Sequence, residues 1–175
     1  MATVNIEFKA KTDELETQEA KLLSLNPLFI GLDNQCDTYF NVSTGRLKLR
    51  EGNIENTLIW YERSNTAGAK QSDILLYHHK PDKALKEILI KTNGIKVVVD
   101  KKRKIYFIEN VKFHFDKVKG LGTFIEVEAI DSTGEIGIEK LKEQCSYYAR
   151  FFSIKPDDYI AVSYSDMLME KIKAF

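Results

Sequence analysis

The sequence has no apolar run of about 18 residues, the minimum length for a membrane-spanning helix. Its opening segment carries Glu7 and Lys9 and lacks the apolar stretch of a signal peptide. Net charge is lacking too, because Lys+Arg and Asp+Glu both number 26, which argues against bulk attraction to nucleic acid or membranes. We therefore expect a cytoplasmic protein with no nucleic-acid and no membrane partner.

Cysteine is scarce as well. Cys36 and Cys145 form neither a disulfide framework nor a zinc-ligand spacing, and we expect two reduced thiols. The sequence contains no Walker-type loop and no Ser–His–Asp arrangement, and Gly120-x-Gly122 is explained more simply as a turn between strands. No compact catalytic motif remains, which leaves the arrangement of charges along the predicted strands.

Most of the chain shows the two-residue alternation of half-buried strands. The length suits one domain spanning residues 1–175. Because closure removes exposed strand edges, we predict an α+β fold in which eight antiparallel strands form a closed β-barrel with flanking helices. The strands are expected at 3–10, 35–41, 45–51, 56–64, 72–79, 95–108, 111–118 and 122–130.

Helical spacing appears between and after these strands, and a short helix near 164–172 ends the chain. A helix at about 81–92 should begin at Pro81, with a buried stripe of Leu85, Ile88 and Leu89. Ser132–Glu135 resembles a capping box for the helix that follows it. A further helix is expected at 12–25.

The position of charged residues within the strands is the informative feature. Arg46, Lys48 and Arg50 alternate with leucines, and Glu126 and Glu128 alternate with apolar residues. On one strand alone this pattern usually marks a solvated face. On several strands it indicates apolar faces packed outward against helices and charged faces around a shared interior. Burying unpaired charge costs several kcal/mol per ion, so such an interior needs water, mutual pairing, metal ions or a charged ligand.

The sum of these charges indicates the ligand, because cations exceed acids by about three. Arginines suit bidentate phosphate contacts, and glutamates suit divalent cations that are shared with substrate phosphates. His114, taken as neutral, is more simply a structural residue than a catalyst. The cations are Lys9, Arg46, Lys48, Arg50, Arg63, Lys101, Arg103 and Lys112, and the acids are Glu7, Asp37, Asp116, Glu126 and Glu128.

These residues fall into ordered blocks that resemble the CYTH family, also called triphosphate tunnel metalloenzymes. Residues 5–9 resemble its ExExK strand, although Asn5 replaces the first acid and offers an uncharged amide oxygen instead. Residues 164–168 resemble the end of class IV adenylate cyclase-like members. The other matching blocks are 35–40, 45–50, 61–63, 101–103, 115–116 and 120–128.

The resemblance implies a metal-dependent enzyme that acts on triphosphates in a barrel interior, most similar to class IV adenylate cyclases, which convert ATP to cyclic AMP and pyrophosphate. Two alternatives stay open. The first is an inorganic or thiamine triphosphatase. The second is a non-catalytic module that binds nucleotide or polyphosphate, because Asn5 carries no charge. The implied cofactor is Mg²⁺ or Mn²⁺, the implied partner is a nucleoside triphosphate or inorganic polyphosphate, and a homodimer would be consistent with the family.

The resemblance also implies roles for individual residues. Glu7, Glu126 and Glu128 would be the metal ligands. Lys9, Arg63 and Asp116 would be catalytic. The phosphate-binding residues would be Lys9, Arg46, Lys48, Arg50, Arg63, Lys101 and Arg103.

Overall fold

The computed structural model describes residues 4–62, 70–71 and 73–174, and an antiparallel sheet dominates them. The α+β class predicted from the sequence is confirmed. The strands are β1 (Val4–Lys11), β2 (Leu28–Phe40), β3 (Arg46–Glu51), β4 (Asn56–Glu62), β5 (Lys70–Gln71), β6 (Asp73–His78), β7 (Ile95–Ile108), β8 (Val111–Val118) and β9 (Gly122–Asp131). The helices are α1 (Leu15–Leu23), α2 (Lys83–Asn93), α3 (Ile138–Phe151) and α4 (Tyr164–Lys173), with a short 3₁₀ turn at Pro156–Asp158.

The spatial order of the sheet is β5-β1-β9-β8-β7-β2-β3-β4-β6. The eight longer strands, which correspond to the eight predicted ones, curl strongly into a half-barrel. The two-residue β5 pairs with β1 at one edge, and β6 pairs with β4 at the other. Closure of this sheet into a full barrel stays a prediction.

Strand β2 begins at Leu28, well before the predicted start at residue 35, because β7 pairs with it along almost its whole length. The pairing register shifts between Phe29 and Gly31. Gly31 has a φ of 146°, and a Cβ there would lie 2.7 Å from Ile54. A bulge of this kind bends a strand and increases its twist, so it contributes to the curl of the sheet.

The outer face of β1, β9 and β8 carries the main apolar core, as the alternation predicted. Side chains such as Phe8, Phe113 and Val127 pack against the inner side of α3, where Leu141 is fully buried, and against Phe152 directly after this helix. Burying a side chain of this size stabilises the fold by roughly 1.5–3 kcal/mol. Because the apolar residues of these strands face outward, their polar residues face the inside of the curl.

Helix α2 differs from its prediction at its start and in its packing. It begins at Lys83, after Asp82 accepts a hydrogen bond from the Ala84 amide at 2.8 Å, so Pro81 precedes the helix rather than opening it. The predicted buried stripe is wrong, because no residue of α2 is buried and Ile88 is 58% exposed. Among the described elements, β2 is the one that packs against this helix, so the apolar side of α2 is partly exposed.

The predicted capping box at Ser132–Glu135 is also wrong. Helix α3 begins after Gly137 without a side-chain cap, because the Asp131 carboxylate organises the preceding loop. Backbone amides of Thr133, Gly134, Ile136 and Gly137 donate to its two oxygens at 2.7–3.2 Å. Among the described helices, none has both the length and the apolar character needed to cross a membrane.

Candidate functional site

A cavity of about 900 Å³ lies inside the curl of the sheet. Cationic side chains enter it from four strands, β1, β3, β7 and β8, as the shared-interior interpretation expected. Among the described residues, six cations and five carboxylates line it, so the excess of positive charge is one rather than about three, with histidines taken as neutral. They are Lys9, Lys48, Arg50, Lys101, Arg103 and Lys112, against Glu7, Asp37, Glu55, Glu126 and Glu128.

We call Asp37, Lys48, Arg50 and Lys101 the cationic region of the cavity. Asp37 is 1% exposed and receives two hydrogen bonds from Arg50, from Nε at 2.8 Å and from Nη2 at 2.9 Å. Lys101 Nζ donates to it at 2.7 Å, and Lys48 Nζ lies at 3.4 Å. Burial opposes ionisation, but the three cations outweigh it and hold the pKa of Asp37 well below its ordinary value. The Asp37 carboxylate is therefore the shared ion-pair partner of three cations.

The charged form of Lys101 is disfavoured in this region. Its side chain is 1% exposed, and it lies near Arg50, Arg103 and Lys48 as well as Asp37. Burial and the repulsion of these cations outweigh the attraction of Asp37 and lower the pKa of Lys101 to about 7. A bound anion here would restore the charged form of this lysine.

Arg103 is held by a second buried carboxylate. It donates to Asp116 from Nε at 2.7 Å and from Nη2 at 2.6 Å, and Nη2 also lies 2.8 Å from Glu126 Oε2. Asp116 is fully buried and also accepts a hydrogen bond from the Tyr164 hydroxyl at 2.8 Å. It lies behind Arg103 and is not among the residues that line the cavity, which suits orienting that arginine rather than contacting a ligand.

We call Asn5, Glu7 and Glu128 the acidic region of the cavity. Glu7 and Glu128 lie directly opposite each other on the paired strands β1 and β9. Asn5 Nδ2 donates to Glu128 Oε1, while Asn5 Oδ1 is buried and has no partner among the described residues. Like charges directly opposite each other are unfavourable, and carboxylate and amide oxygens are the ligands of hard divalent cations. The donor atoms of this region therefore fit Mg²⁺ or Mn²⁺.

Glu126 pairs with residues outside this region. Its Oε2 accepts from Arg103 and lies 3.3 Å from Nδ1 of His114. In the parts of the chain that the structure describes, no three His, Cys, Asp or Glu side chains are grouped for metal binding. The structure thus brings Glu7 and Glu128 together, with Glu126 beside them in the same cavity, and the assignment of all three as metal ligands stays a prediction.

The remaining predicted site residues have different positions. Lys9 lines the cavity, with Nζ 4.2 Å from the centroid of the Tyr164 ring. Arg46 does not line it, because its Nη2 donates to Asp166 of α4 at 2.9 Å. Arg63 lies outside the described residues. A strand alternation places Arg46 on the inner face but gives no sign of a carboxylate from a distant helix.

Glu55 and His114 are among the cavity residues that lay outside the predicted site. Glu55 is in the turn between β3 and β4, where no periodicity indicates its direction. His114 is buried in the cavity wall, and its Nε2 has no partner among the described residues. Burial and the nearby Arg103 lower the pKa of His114, so the ring is neutral at pH 7. The alternation of β8 does place His114 on the charged face, but its interpretation as a structural residue gave it no part in the site.

The fold and this cavity define a class of protein in which a curled antiparallel sheet surrounds a cavity lined by paired cations and acids. The family model described as "CYTH domain" matches residues 4–153, and the chain belongs to this family. No curated protein matches the sequence. The CYTH match ends before α4, so the contacts of Tyr164 and Asp166 lie outside the matched segment.

Solved structures share the fold at low sequence identity. A conserved hypothetical protein of Pyrococcus furiosus is 23% identical, with a TM-score of 0.78 over 93% of this chain and 98% of that one. A proposed adenylate cyclase of Vibrio parahaemolyticus is 18% identical, with a TM-score of 0.75 over 97% and 99%. A Hippeastrum protein, described as a proposed adenylyl cyclase with a dominant triphosphatase activity, is 14% identical, with a TM-score of 0.60 over 98% and 96%.

Proposed function

We propose that the cavity binds the triphosphate group of a nucleotide or of inorganic polyphosphate, together with Mg²⁺ or Mn²⁺, and that the protein is an enzyme acting on this group. The expected reaction is the one of class IV adenylate cyclases, from ATP to cyclic AMP and pyrophosphate. We also propose that β5 and β6 together complete the sheet as a closed barrel, which would make the cavity a tunnel.

The convergence of cations from β1, β3, β7 and β8 carries this proposal. Arg50 and Arg103 are each fixed by a two-pronged contact with a buried carboxylate, which leaves them rigid before any ligand arrives. Preorganised cations in a cavity shielded from water stabilise developing negative charge far better than mobile ones in solvent. A chain of phosphates is the ligand that such a set of cations suits best.

The acidic region would hold the metal. Glu7, Glu128 and the unpartnered Oδ1 of Asn5 are the donors available there. A divalent cation bound at this position supplies charge neutralisation and polarisation of a phosphoryl oxygen. The acidic and cationic regions line the same cavity, so both are open to a single polyphosphate chain.

The chain's own residues would supply orientation and charge. Arg50, Lys101 and Arg103 would hold the phosphates, and they would stabilise the negative charge that grows on the leaving pyrophosphate. Asp37 and Asp116 would keep the two arginines in place. Attack by the ribose 3′ oxygen on the α-phosphorus breaks the bond to pyrophosphate and gives the cyclic product. Attack by water on the terminal phosphorus breaks its bond to the rest of the chain and gives orthophosphate and the shortened chain.

A binding module without turnover is the second candidate, and one observation favours it. The Asn5 amide occupies one oxygen of Glu128 and brings no negative charge of its own. The acidic region therefore carries fewer charges than an ExExK strand would provide, and its metal affinity is correspondingly lower.

An activity assay separates the candidates. The purified protein is incubated with ATP, thiamine triphosphate or tripolyphosphate in Mg²⁺ or Mn²⁺, and the products are analysed. Cyclic AMP supports the cyclase and orthophosphate supports a triphosphatase. Binding of these ligands without any product contradicts the proposal that the protein is an enzyme.

A variant at Glu126 sharpens this assay. Glu126→Gln should lower metal-dependent turnover at least about tenfold, because the carboxylate charge next to Arg103 is lost at the proposed metal and phosphate site. Glu139→Gln is the control, since Glu139 is exposed on α3 and pairs only with Lys142 in the described structure. Equal turnover in the two variants would remove Glu126 from the site.

A further inference from the structure

Glu55 is a cavity carboxylate to which neither the sequence nor the family blocks give a role. Its Oε2 accepts a hydrogen bond from Arg50 Nη1 at 2.9 Å and another from Gln35 Nε2 at 3.0 Å. Its Oε1 accepts from Lys112 Nζ at 2.5 Å. Burial opposes its ionisation, but Lys112 and Arg50 outweigh this effect and depress the pKa of Glu55, so it is an anion at neutral pH.

The turn that carries Glu55 is built into a fixed shape. Asp33 is fully buried, and its carboxylate accepts from the backbone amides of Ile54 and Glu55, both at 2.9 Å. Gly52 is required beside it, since a Cβ at this position would lie 2.5 Å from Asp33 Oδ1. Asn56 closes the turn through two hydrogen bonds with the backbone of Gly52, at 3.0 and 3.1 Å. The backbone position from which Glu55 enters the cavity is therefore defined by the fold.

The Glu55 carboxylate makes the kind of contacts with cations that a bound phosphate oxygen would make. An arginine and a lysine from two different strands, both lining the cavity, converge on it. Any anion that reaches Arg50 Nη1 and Lys112 must displace this carboxylate, and the displaced carboxylate then repels the anion at short range. By contrast, Lys101 and Arg103, on β7, pair with Asp37 and Asp116 rather than with Glu55.

We propose that Glu55 limits the length of the phosphate chain that the cavity accepts, by occupying Arg50 Nη1 and Lys112 as an internal anion. This inference rests on the proposed function, because it concerns the same cavity and adds the substrate class. A chain held by Lys101, Arg103 and the Nη2 side of Arg50 meets Glu55 only when it is long enough to extend to Arg50 Nη1 and Lys112. The cavity is therefore selective for triphosphates over longer chains.

The test compares binding of linear chains of two, three and four phosphates by titration calorimetry. In the wild type, the four-phosphate chain should bind no better than the three-phosphate chain. In Glu55→Gln, which keeps the shape and removes the charge, affinity for the four-phosphate chain should rise at least about tenfold, with less than about threefold change for pyrophosphate. Adding Lys112→Gln to this variant should abolish the gain.

Glu51→Gln is the matched control, because Glu51 ends β3 outside the cavity and pairs with Lys86 of α2. Its chain-length profile should equal that of the wild type. Glu55→Ala is a second variant that removes the carboxylate, and it should show the same selective gain if Glu55→Gln does not fold.

The outcomes separate the two proposals. A wild-type protein that binds none of the three chains contradicts the proposed function, and the inference falls with it. A wild type that binds tripolyphosphate, with Glu55 variants of unchanged chain-length profile, overturns the inference alone.

Discussion

The two regions of the cavity have charge imbalances of opposite sign. In the cationic region, the single carboxylate of Asp37 is shared by Lys48, Arg50 and Lys101. In the acidic region, Glu7 and Glu128 face each other on neighbouring strands, and an uncharged Asn5 stands beside them. One region therefore has fewer acids than its cations need, and the other brings two acids together.

Both arrangements are costly without a ligand, because charges removed from water require compensation. The cationic region is partly neutralised from within, by Asp37 and by Glu55. In the acidic region, the uncharged amide of Asn5 donates a hydrogen bond to Glu128 and adds no further negative charge, which limits the repulsion. A phosphate chain would complete the first region and a divalent cation the second, which explains why a chain of zero net charge can contain such a concentrated site.

The largest effect that tests this comparison should come from Asp37→Asn. Removing the shared carboxylate leaves buried cations without their partner, and loss of one member of a buried pair costs about 3–5 kcal/mol. Urea unfolding should show this decrease in the free energy of unfolding. Tripolyphosphate should recover part of it, because the anion takes over the role of Asp37.

Asp100→Asn is the control for this experiment. Asp100 is on β7 next to Lys101 in sequence, but it is exposed. The free energy of unfolding of Asp100→Asn should therefore differ from that of the wild type by less than about 0.5 kcal/mol. Equal stability of the two variants would show that Asp37 is not needed to compensate the cationic region.

The next effect concerns the acidic region. Asn5→Asp adds a third carboxylate beside Glu7 and Glu128, which should raise Mn²⁺ affinity about tenfold, as measured by titration calorimetry. Asn34→Asp, on an exposed position of β2, should leave the affinity unchanged. An unaltered affinity in Asn5→Asp would mean that this position does not face the metal.

The smallest effect is a pH dependence. The folded-state pKa of Lys101 is lowered to about 7 from 10.5, so the unfolded chain binds more protons between these values. The pH-dependent contribution of Lys101 to the free energy of unfolding therefore increases as the pH rises from about 7 towards 10.5, and it is absent below about 7. Anion binding favours the charged lysine, so tripolyphosphate affinity should fall several-fold as the pH rises from 7 to 9.

The groups that face Lys101 are Asp37 on β2, Lys48 and Arg50 on β3, and Arg103 on β7 itself. Lys101→Arg keeps the charge at all these pH values and should flatten the profile, while the ionisation of the ligand is the same for both proteins. Calorimetry in two buffers of different ionisation enthalpy should show greater proton uptake on binding in the wild type than in Lys101→Arg. Identical pH profiles for the two proteins would contradict a titrating Lys101.

Strand alternation was sufficient to predict much of the site. It placed Lys48, Arg50, Lys101 and Arg103 on inward faces, because each lies two residues from its neighbour on a strand with an apolar opposite face. It also gave the class of the fold. A period of two is a local property, and these predictions needed only local information.

The rest depends on contacts between distant segments. Arg46 has the same alternation as Arg50 but ends against Asp166, which is 120 residues away. Asp116 is on the inner face by alternation, yet Arg103 and Tyr164 enclose it. Glu55 lies in a turn whose shape depends on the side chains of Asp33 and Asn56. None of these contacts leaves a periodic signal in the sequence.

The most direct test of the central claim is a calorimetric titration of tripolyphosphate, in Mg²⁺, into the wild type and Arg50→Gln. Arg150→Gln, on the exposed side of α3, is the control. The wild type and the control should bind one chain with a dissociation constant in the micromolar range or below, and Arg50→Gln should bind at least about tenfold more weakly. Absence of binding to the wild type at millimolar ligand, or equal affinity in all three proteins, would contradict an inward-facing polyphosphate site.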